Sequence, residues 1–171
     1  APPSPPQSKT FTVLTYNTLH GLEVGKFWVR QIETDEQYRA RFTLRIKQLA
    51  EAQPDVILLQ EVNPLPAMAH DYVEALAQQG LHYAEVHQVD ACGLRLAPSL
   101  AILPGLNNGL VILAKAPLTI RKLDGLKLSG PIGGCRDYAG VQFGELRYAL
   151  LAEVTAPATG MTYLVATMHL H

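Results

Sequence analysis

Apolar and polar positions follow two periods along this chain, and the switches between them set an order of elements. Phe11 to Tyr16 (FTVLTY) is a β-branched and aromatic run ending at Asn17, with Gly21 soon after, which predicts a first strand running into a loop. Between Asp35 and Gln53 the apolar Tyr38, Phe42, Ile46 and Leu49 recur every three or four positions, whereas Arg39, Arg41, Arg45 and Lys47 fall largely off that stripe. This spacing predicts an amphipathic helix with a solvated basic face, stopped by Pro54. Asp55 to Gln60 (DVILLQ) is almost continuously apolar, the pattern of a strand covered on both faces.

A second helical stretch, Pro66 to Gln79, is closed by Gly80. Leu81 to Val86, Gly109 to Ala114, Thr119 to Leu123, Leu146 to Thr155 and Met161 to Thr167 all read as strands. Pro157 and Gly160 supply a turn between the last two, which predicts an antiparallel hairpin. The class is mixed α/β with a largely antiparallel second portion. Two irregular stretches interrupt the pattern: Cys92 to Leu106, apolar but broken by Pro98 and Pro104, and the glycine-rich Ser129 to Gly144. They read as long loops flanking the Gly109 strand, suited to face a substrate, although the first would equally serve to plug the core.

Composition narrows the class. A chain of 171 residues with 48% hydrophobic content is long enough for one packed domain, which excludes disorder and a disulfide miniprotein. Fourteen basic against fifteen acidic residues give a net charge of −1, so no global positive field draws the protein onto nucleic acid. No uninterrupted apolar run approaches the roughly 20 residues that span a bilayer, and no transmembrane segment is predicted. Residues 1–9 (APPSPPQSK) read as a flexible Pro/Ser-rich tail resembling a mature end left by a signal peptidase. That reading implies a periplasmic or secreted protein; a tail trimmed for expression would look the same and leave a cytoplasmic location open. Cys92 and Cys135 form one disulfide if the compartment is oxidising, or stay as two buried thiols.

The polar residues that carry candidate chemistry sit at strand ends, where a sheet converges groups distant in sequence. Asn17 ends the first strand, Glu61 follows DVILLQ, and His169 closes the last strand with Thr167 before it and His171 after it. An amide, a carboxylate and a histidine so placed can hold a hard cation through oxygen and hydrogen-bond a phosphate. Taken singly, an Asn there is a turn former and a Glu a solvated end.

Four segments, TVLTYNTLHG, PDVILLQEV, NNGLVILAKAPL and YLVATMHLH, resemble in order successive motifs of the endonuclease/exonuclease/phosphatase superfamily, the group sharing the fold of pancreatic deoxyribonuclease. The Gln-Glu pair after an apolar strand opened by Pro-Asp is the most specific of them. The resemblance implies a four-layer α/β/β/α sandwich of two mostly antiparallel sheets, of which residues 10–171 supply about the first two-thirds. It also implies a divalent-metal-dependent phosphoesterase, with Mg2+ (or Mn2+/Ca2+) as cofactor. Glu61 would be the principal metal ligand, Asn17 would orient the metal shell or a phosphate oxygen, and His169 would contact the scissile phosphate. Arg147 and, more weakly, Asn108 would bind phosphate. The family's Asp-x-Asn and Ser-Asp-His segments, which provide the water-activating carboxylate and a second histidine, do not occur here. The expectation is therefore half an active site, completed by a second chain or a C-terminal fragment, and no phosphoesterase activity from this chain alone.

The substrate would be a phosphoester of a lipid (phospholipase- or sphingomyelinase-like), of a small molecule or of nucleic acid. The near-neutral charge and the apolar Cys92 to Leu106 loop lean toward the first two, unless Arg30, Arg39, Arg41, Arg45 and Lys47 form a basic strip. The alternative is a non-catalytic binding or scaffold module that retains the fold.

Overall fold

The structure, a computed structural model, describes residues 10–19, 22–24, 29–92, 107–129 and 147–170, and for 22–24, 29–32, 90–92, 107 and 129 the backbone only. Cys135, the side chain of Cys92, His171, the side chain of Arg30, the tail 1–9 and almost all of the two irregular stretches lie outside the described residues.

The predicted strand, helix, strand unit is present. β1 (Val13–Asn17) lies parallel to β4 (Val56–Val62), joined through a short antiparallel pair, β2 (Leu22–Val24) and β3 (Val29–Ile32), and the helix α1 (Asp35–Ala52). α1 begins on a capping box: Thr34 Oγ1 accepts from the Gln37 N–H at 3.2 Å, while Gln37 Oε1 accepts from the Thr34 N–H at 3.0 Å. It ends on Gln53 in the left-handed region, just before Pro54. A second helix, α2 (Ala67–Gln78), leads to β5 (Tyr83–Cys92), longer than its apolar run predicts, and β6 (Asn107–Lys115). The first sheet has the order β1-β4-β6-β5 and is antiparallel except for β1.

The second sheet consists of β7 (Thr119–Lys122), β8 (Leu126–Ser129), β9 (Arg147–Ala156) and β10 (Met161–Met168). Its order is β10-β9-β7, with β8 also paired to β9. The predicted hairpin is β9 and β10, with Met161 opposite Ala156. Three short strands, β2, β3 and β8, have no counterpart in the hydrophobic pattern.

Two cores define the layers. Ile57, Leu59, Val62, Val111 and Leu113 face α1 and α2, packing against Ile46, Leu49, Met68, Tyr72 and Leu76. Val56, Leu110, Ile112 and Ala114, on the opposite face, pack against Leu150, Ala152, Val154 and Val165 of the second sheet. Strand β4 is apolar from Val56 to Leu59 because it contributes to both. The layer order is helices, sheet, sheet, three of the four layers of the expected sandwich; no helix covers the outer face of the second sheet among the described residues. There Leu164 is 69% exposed, and Leu126 and Met168 are also open. Among the described residues no helix is long and apolar enough to cross a membrane.

Gly109 is required by close approach. A Cβ at this position would lie 2.2 Å from the Gln88 carbonyl oxygen and 2.4 Å from Leu65 Cδ1. Gly109→Ala is expected to destabilise the full-length protein by about 3 kcal/mol in chemical denaturation, by forcing β5 away from β6. A loss below about 0.5 kcal/mol would contradict this packing.

Glu85 is a second point of tension. Burial pushes its carboxyl above the usual value, opposed in part by His87 and His70. Its Oε2 is buried with no hydrogen-bond partner among the described residues. A raised folded-state value means that this group's contribution is present below the unfolded value and is lost as pH rises through the folded one. The melting temperature of Glu85→Gln is therefore expected to match wild type below about pH 4 and to exceed it increasingly toward pH 7. A margin that shrinks with rising pH would refute this.

Candidate functional site

Glu61 is delivered by a break in its own ladder. β4 and β6 pair as Leu59 with Val111 and resume as Val62 with Gly109, so Gln60 and Glu61 together span the single residue Leu110. This is a β-bulge, and it shifts the phase of the strand by one: Ile57, Leu59 and Val62 all face the helices, and Glu61 is released from that core. Glu61 holds φ of 56°, a left-handed conformation that costs a non-glycine residue on the order of 1 kcal/mol or more. The sequence places Glu61 after the strand; it lies inside it, on the bulge.

Gln60 turns the other way, into the space between the sheets. Its Nε2 donates to Thr167 Oγ1 at 2.9 Å, to Thr15 Oγ1 at 3.0 Å and to the Leu58 carbonyl at 3.2 Å. β10 is thereby tied to β4 just before His169. Asn17, the last residue of β1, pairs beside Gln60. Its Oδ1 accepts from the Leu19 N–H at 2.9 Å, which leaves the amide NH2 to face the site. Nδ2 then donates to Glu61 Oε1 at 2.8 Å and lies 3.4 Å from His169 Nε2. His169 Nε2 is also 3.4 Å from Glu61 Oε1. A proton on Nε2 serves the carboxylate, and a bare Nε2 accepts from Asn17.

The cluster is shielded but reachable, with the His169 and Glu61 side chains 19% and 10% exposed. Partial burial strengthens its internal electrostatics relative to bulk water. Contacts join Asn17, Glu61 and His169, which the sequence leaves separated by up to 152 positions. Arg147 and Asn108 share that end of the sandwich. Arg147 opens β9 and is 8% exposed, and the pairing of Met168 with Ala149 puts it at the His169 end. Asn108 precedes Gly109, the partner of Val62, and its Oδ1 is buried with no hydrogen-bond partner among the described residues.

Sequence reasoning missed the supports. Gln60 was readable from strand alternation, as the polar position on the same face as Leu58. Two arginines expected on a solvated helix face are instead turned inward. Arg45 is 4% exposed, and its guanidinium donates to the Thr18 carbonyl and to the Tyr72 hydroxyl. Arg41 donates to the Thr18 and Leu19 carbonyls and pairs with Glu33. The signal lay in the spacing, since Tyr38, Phe42, Arg45 and Leu49 form an unbroken stripe of fours and threes.

Two α-helices on a two-sheet sandwich, with an amide, a carboxylate and an imidazole gathered at strand ends, define the class of architecture. No protein-family model matches the sequence, and no curated protein matches it. Among solved structures the chain is similar to an endonuclease/exonuclease/phosphatase family protein from Bacteroides thetaiotaomicron, at 18% identity and TM-score 0.56, covering 94% of this chain and 49% of that one. A mannosyl-6-phosphatase from the same organism is similar at 18% identity and TM-score 0.56, with 94% of this chain and 51% of that one covered. ANGEL2, a 2′,3′-cyclic phosphatase, follows at 19% identity and TM-score 0.51, with 77% and 31% covered. The first of these is named as an endonuclease/exonuclease/phosphatase family protein, and the chain shares the fold of all three. It spans about half the length of the solved structures it matches, or less.

Proposed function

We propose that this chain supplies the metal-and-phosphate half of the active site of a divalent-metal-dependent phosphoesterase. The observation that carries the reading is the contact of Asn17, Glu61 and His169 at one end of the sandwich. Two of the similar structures carry names that state phosphatase activity, on a mannosyl-6-phosphate and on a 2′,3′-cyclic phosphate. Mg2+ is commonly held by one or two carboxylates with its remaining positions filled by water, and Glu61 meets the lower bound of that need. Among the described residues no group of three or more His, Cys, Asp or Glu could hold a metal by itself, so the donor set fits a hydrated Mg2+ (or Mn2+/Ca2+) better than a closed cage. When bound, such an ion offsets charge on phosphate oxygens and lowers the pKa of bound water. Asn17 presents N–H rather than oxygen to the site, which suits it to orienting the Glu61 carboxylate. His169 hydrogen-bonds the scissile phosphate or assists the leaving oxygen, and Arg147 and Asn108 bind phosphate.

The remaining carboxylate and histidine belong, in this reading, to polypeptide beyond residues 10–171, in the same protein or a second chain. The open apolar face at Leu126, Leu164 and Met168 supports further structure on the second sheet. The inward commitment of Arg41 and Arg45 removes the centre of the expected basic strip, which favours a lipid or small-molecule phosphoester over nucleic acid. The proposal is tested by assaying the full-length protein against p-nitrophenyl phosphate, bis-p-nitrophenyl phosphate, sphingomyelin vesicles and plasmid DNA, with Mg2+ and with EDTA. Hydrolysis of at least one substrate, lost with EDTA, is expected. Failure on all four with Mg2+, Mn2+ and Ca2+ would leave a non-catalytic module.

A further inference from the structure

The turn after β1 is held from two sides. From β4, the Gln60 carbonyl accepts from both the Thr18 N–H at 2.8 Å and Thr18 Oγ1 at 2.9 Å. From α1, Arg41 and Arg45 both donate to the Thr18 carbonyl, and Arg41 also reaches the Leu19 carbonyl at 2.9 Å. Leu19 itself is 61% exposed and sits at φ 51°, a strained conformation with little packing of its own to keep it. Its N–H nevertheless fixes Asn17 Oδ1. If Leu19 relaxed, that N–H would swing away, the Asn17 amide would be free to flip, and its oxygen would then oppose the Glu61 carboxylate.

Arg45 is an unusual choice for a position that is 4% exposed on the packed side of a helix, where leucine or methionine would fill the space without desolvating a charge. Its bonds go to neutral oxygens, the Thr18 carbonyl and the Tyr72 hydroxyl. Arg41 is aimed by Glu33, whose carboxylate takes its Nε at 2.6 Å and holds the guanidinium charged. We propose that Arg45 and Arg41 are positioning residues: from α1 they hold the Thr18 and Leu19 carbonyls, and through that turn they set the Asn17 amide that orients Glu61. As a statement about activity this rests on the phosphoesterase reading above; as a statement about the Asn17 amide it does not.

The test uses the full-length protein carrying Arg45→Met, Arg45→Lys or Glu33→Gln, with the exposed Arg39→Met as control. The Asn17 side-chain NH2 resonance is assigned by its loss in Asn17→Asp. Arg45→Met and Glu33→Gln are expected to shift or broaden that resonance, whereas Arg39→Met leaves it in place. Against p-nitrophenyl phosphate, Arg45→Met is expected to lower kcat by about tenfold or more with KM within about twofold, because geometry and not binding is lost. Arg45→Lys should recover part of kcat, since an ammonium still reaches one carbonyl. An Asn17 resonance unchanged in both Arg45→Met and Glu33→Gln overturns the proposal, as does a kcat loss in Arg45→Met that Arg39→Met reproduces. If Arg45→Met does not fold, the Glu33→Gln resonance alone decides. If wild-type protein shows no turnover, the phosphoesterase reading fails while the amide resonance still decides the positioning role.

Discussion

Glu61→Gln in the full-length protein is expected to reduce metal-dependent phosphoester hydrolysis by about 10³-fold and to weaken Mg2+ binding in the same titration. The substitution preserves volume and removes the charge, so the loss reports electrostatics. Glutamine keeps one acceptor oxygen, which still accepts from Asn17 Nδ2 where Glu61 Oε1 does now at 2.8 Å, and replaces the other carboxylate oxygen by an NH2 that cannot ligate a cation. Folding stability should hardly change, because the side chain lies outside both cores. Glu61→Gly sharpens the contrast: glycine removes the left-handed strain at φ 56°, so activity should vanish while the melting temperature holds or rises. Loss of function with gained stability is the signature of a residue kept for chemistry. Hydrolysis within about tenfold of wild type in Glu61→Gln would remove Glu61 from the proposed site.

Leu59→Ala is expected to cost about 3 kcal/mol in chemical denaturation of the full-length protein. Leu59 is fully buried on the central strand β4, on the face that packs against both helices, and it immediately precedes the Gln60–Glu61 bulge. Truncation leaves a cavity between elements that cannot collapse independently, since β4 is hydrogen-bonded on both edges. Leu44→Ala is the internal comparison: on α1 but 55% exposed, it should cost under about 0.5 kcal/mol. Equal losses at the two positions would show that the packing around β4 is not what holds the sheet.

The hydrophobic pattern was most informative where burial is greatest. DVILLQ reads as a strand covered on both faces, and β4 does contribute to both cores. The stripe from Tyr38 to Leu49 marks the buried side of α1 correctly but omits Arg45, because a charged residue is assigned to solvent unless its partner is known. That partner is the carbonyl of Thr18, 27 positions away. Asn17, Glu61 and His169 could be named as candidates from their places after apolar runs. Their mutual contacts could not, because register between strands is set by cross-strand packing and not by the composition of either strand.

By itself, then, the sequence determined the alternation of strands and helices, the two-sided burial of β4, and the residue types available for metal and phosphate. These follow from periodicity and side-chain chemistry, which are local. Only the tertiary structure decided that Glu61 sits within β4 on a bulge that turns it out of the helix-facing core, that Gln60 locks β10 beside it, and that Arg41 and Arg45 turn inward to hold the Asn17 turn. The bulge is a property of the pairing between β4 and β6, and the other two are hydrogen bonds between distant segments whose strength depends on the burial that assembly of the whole sandwich creates.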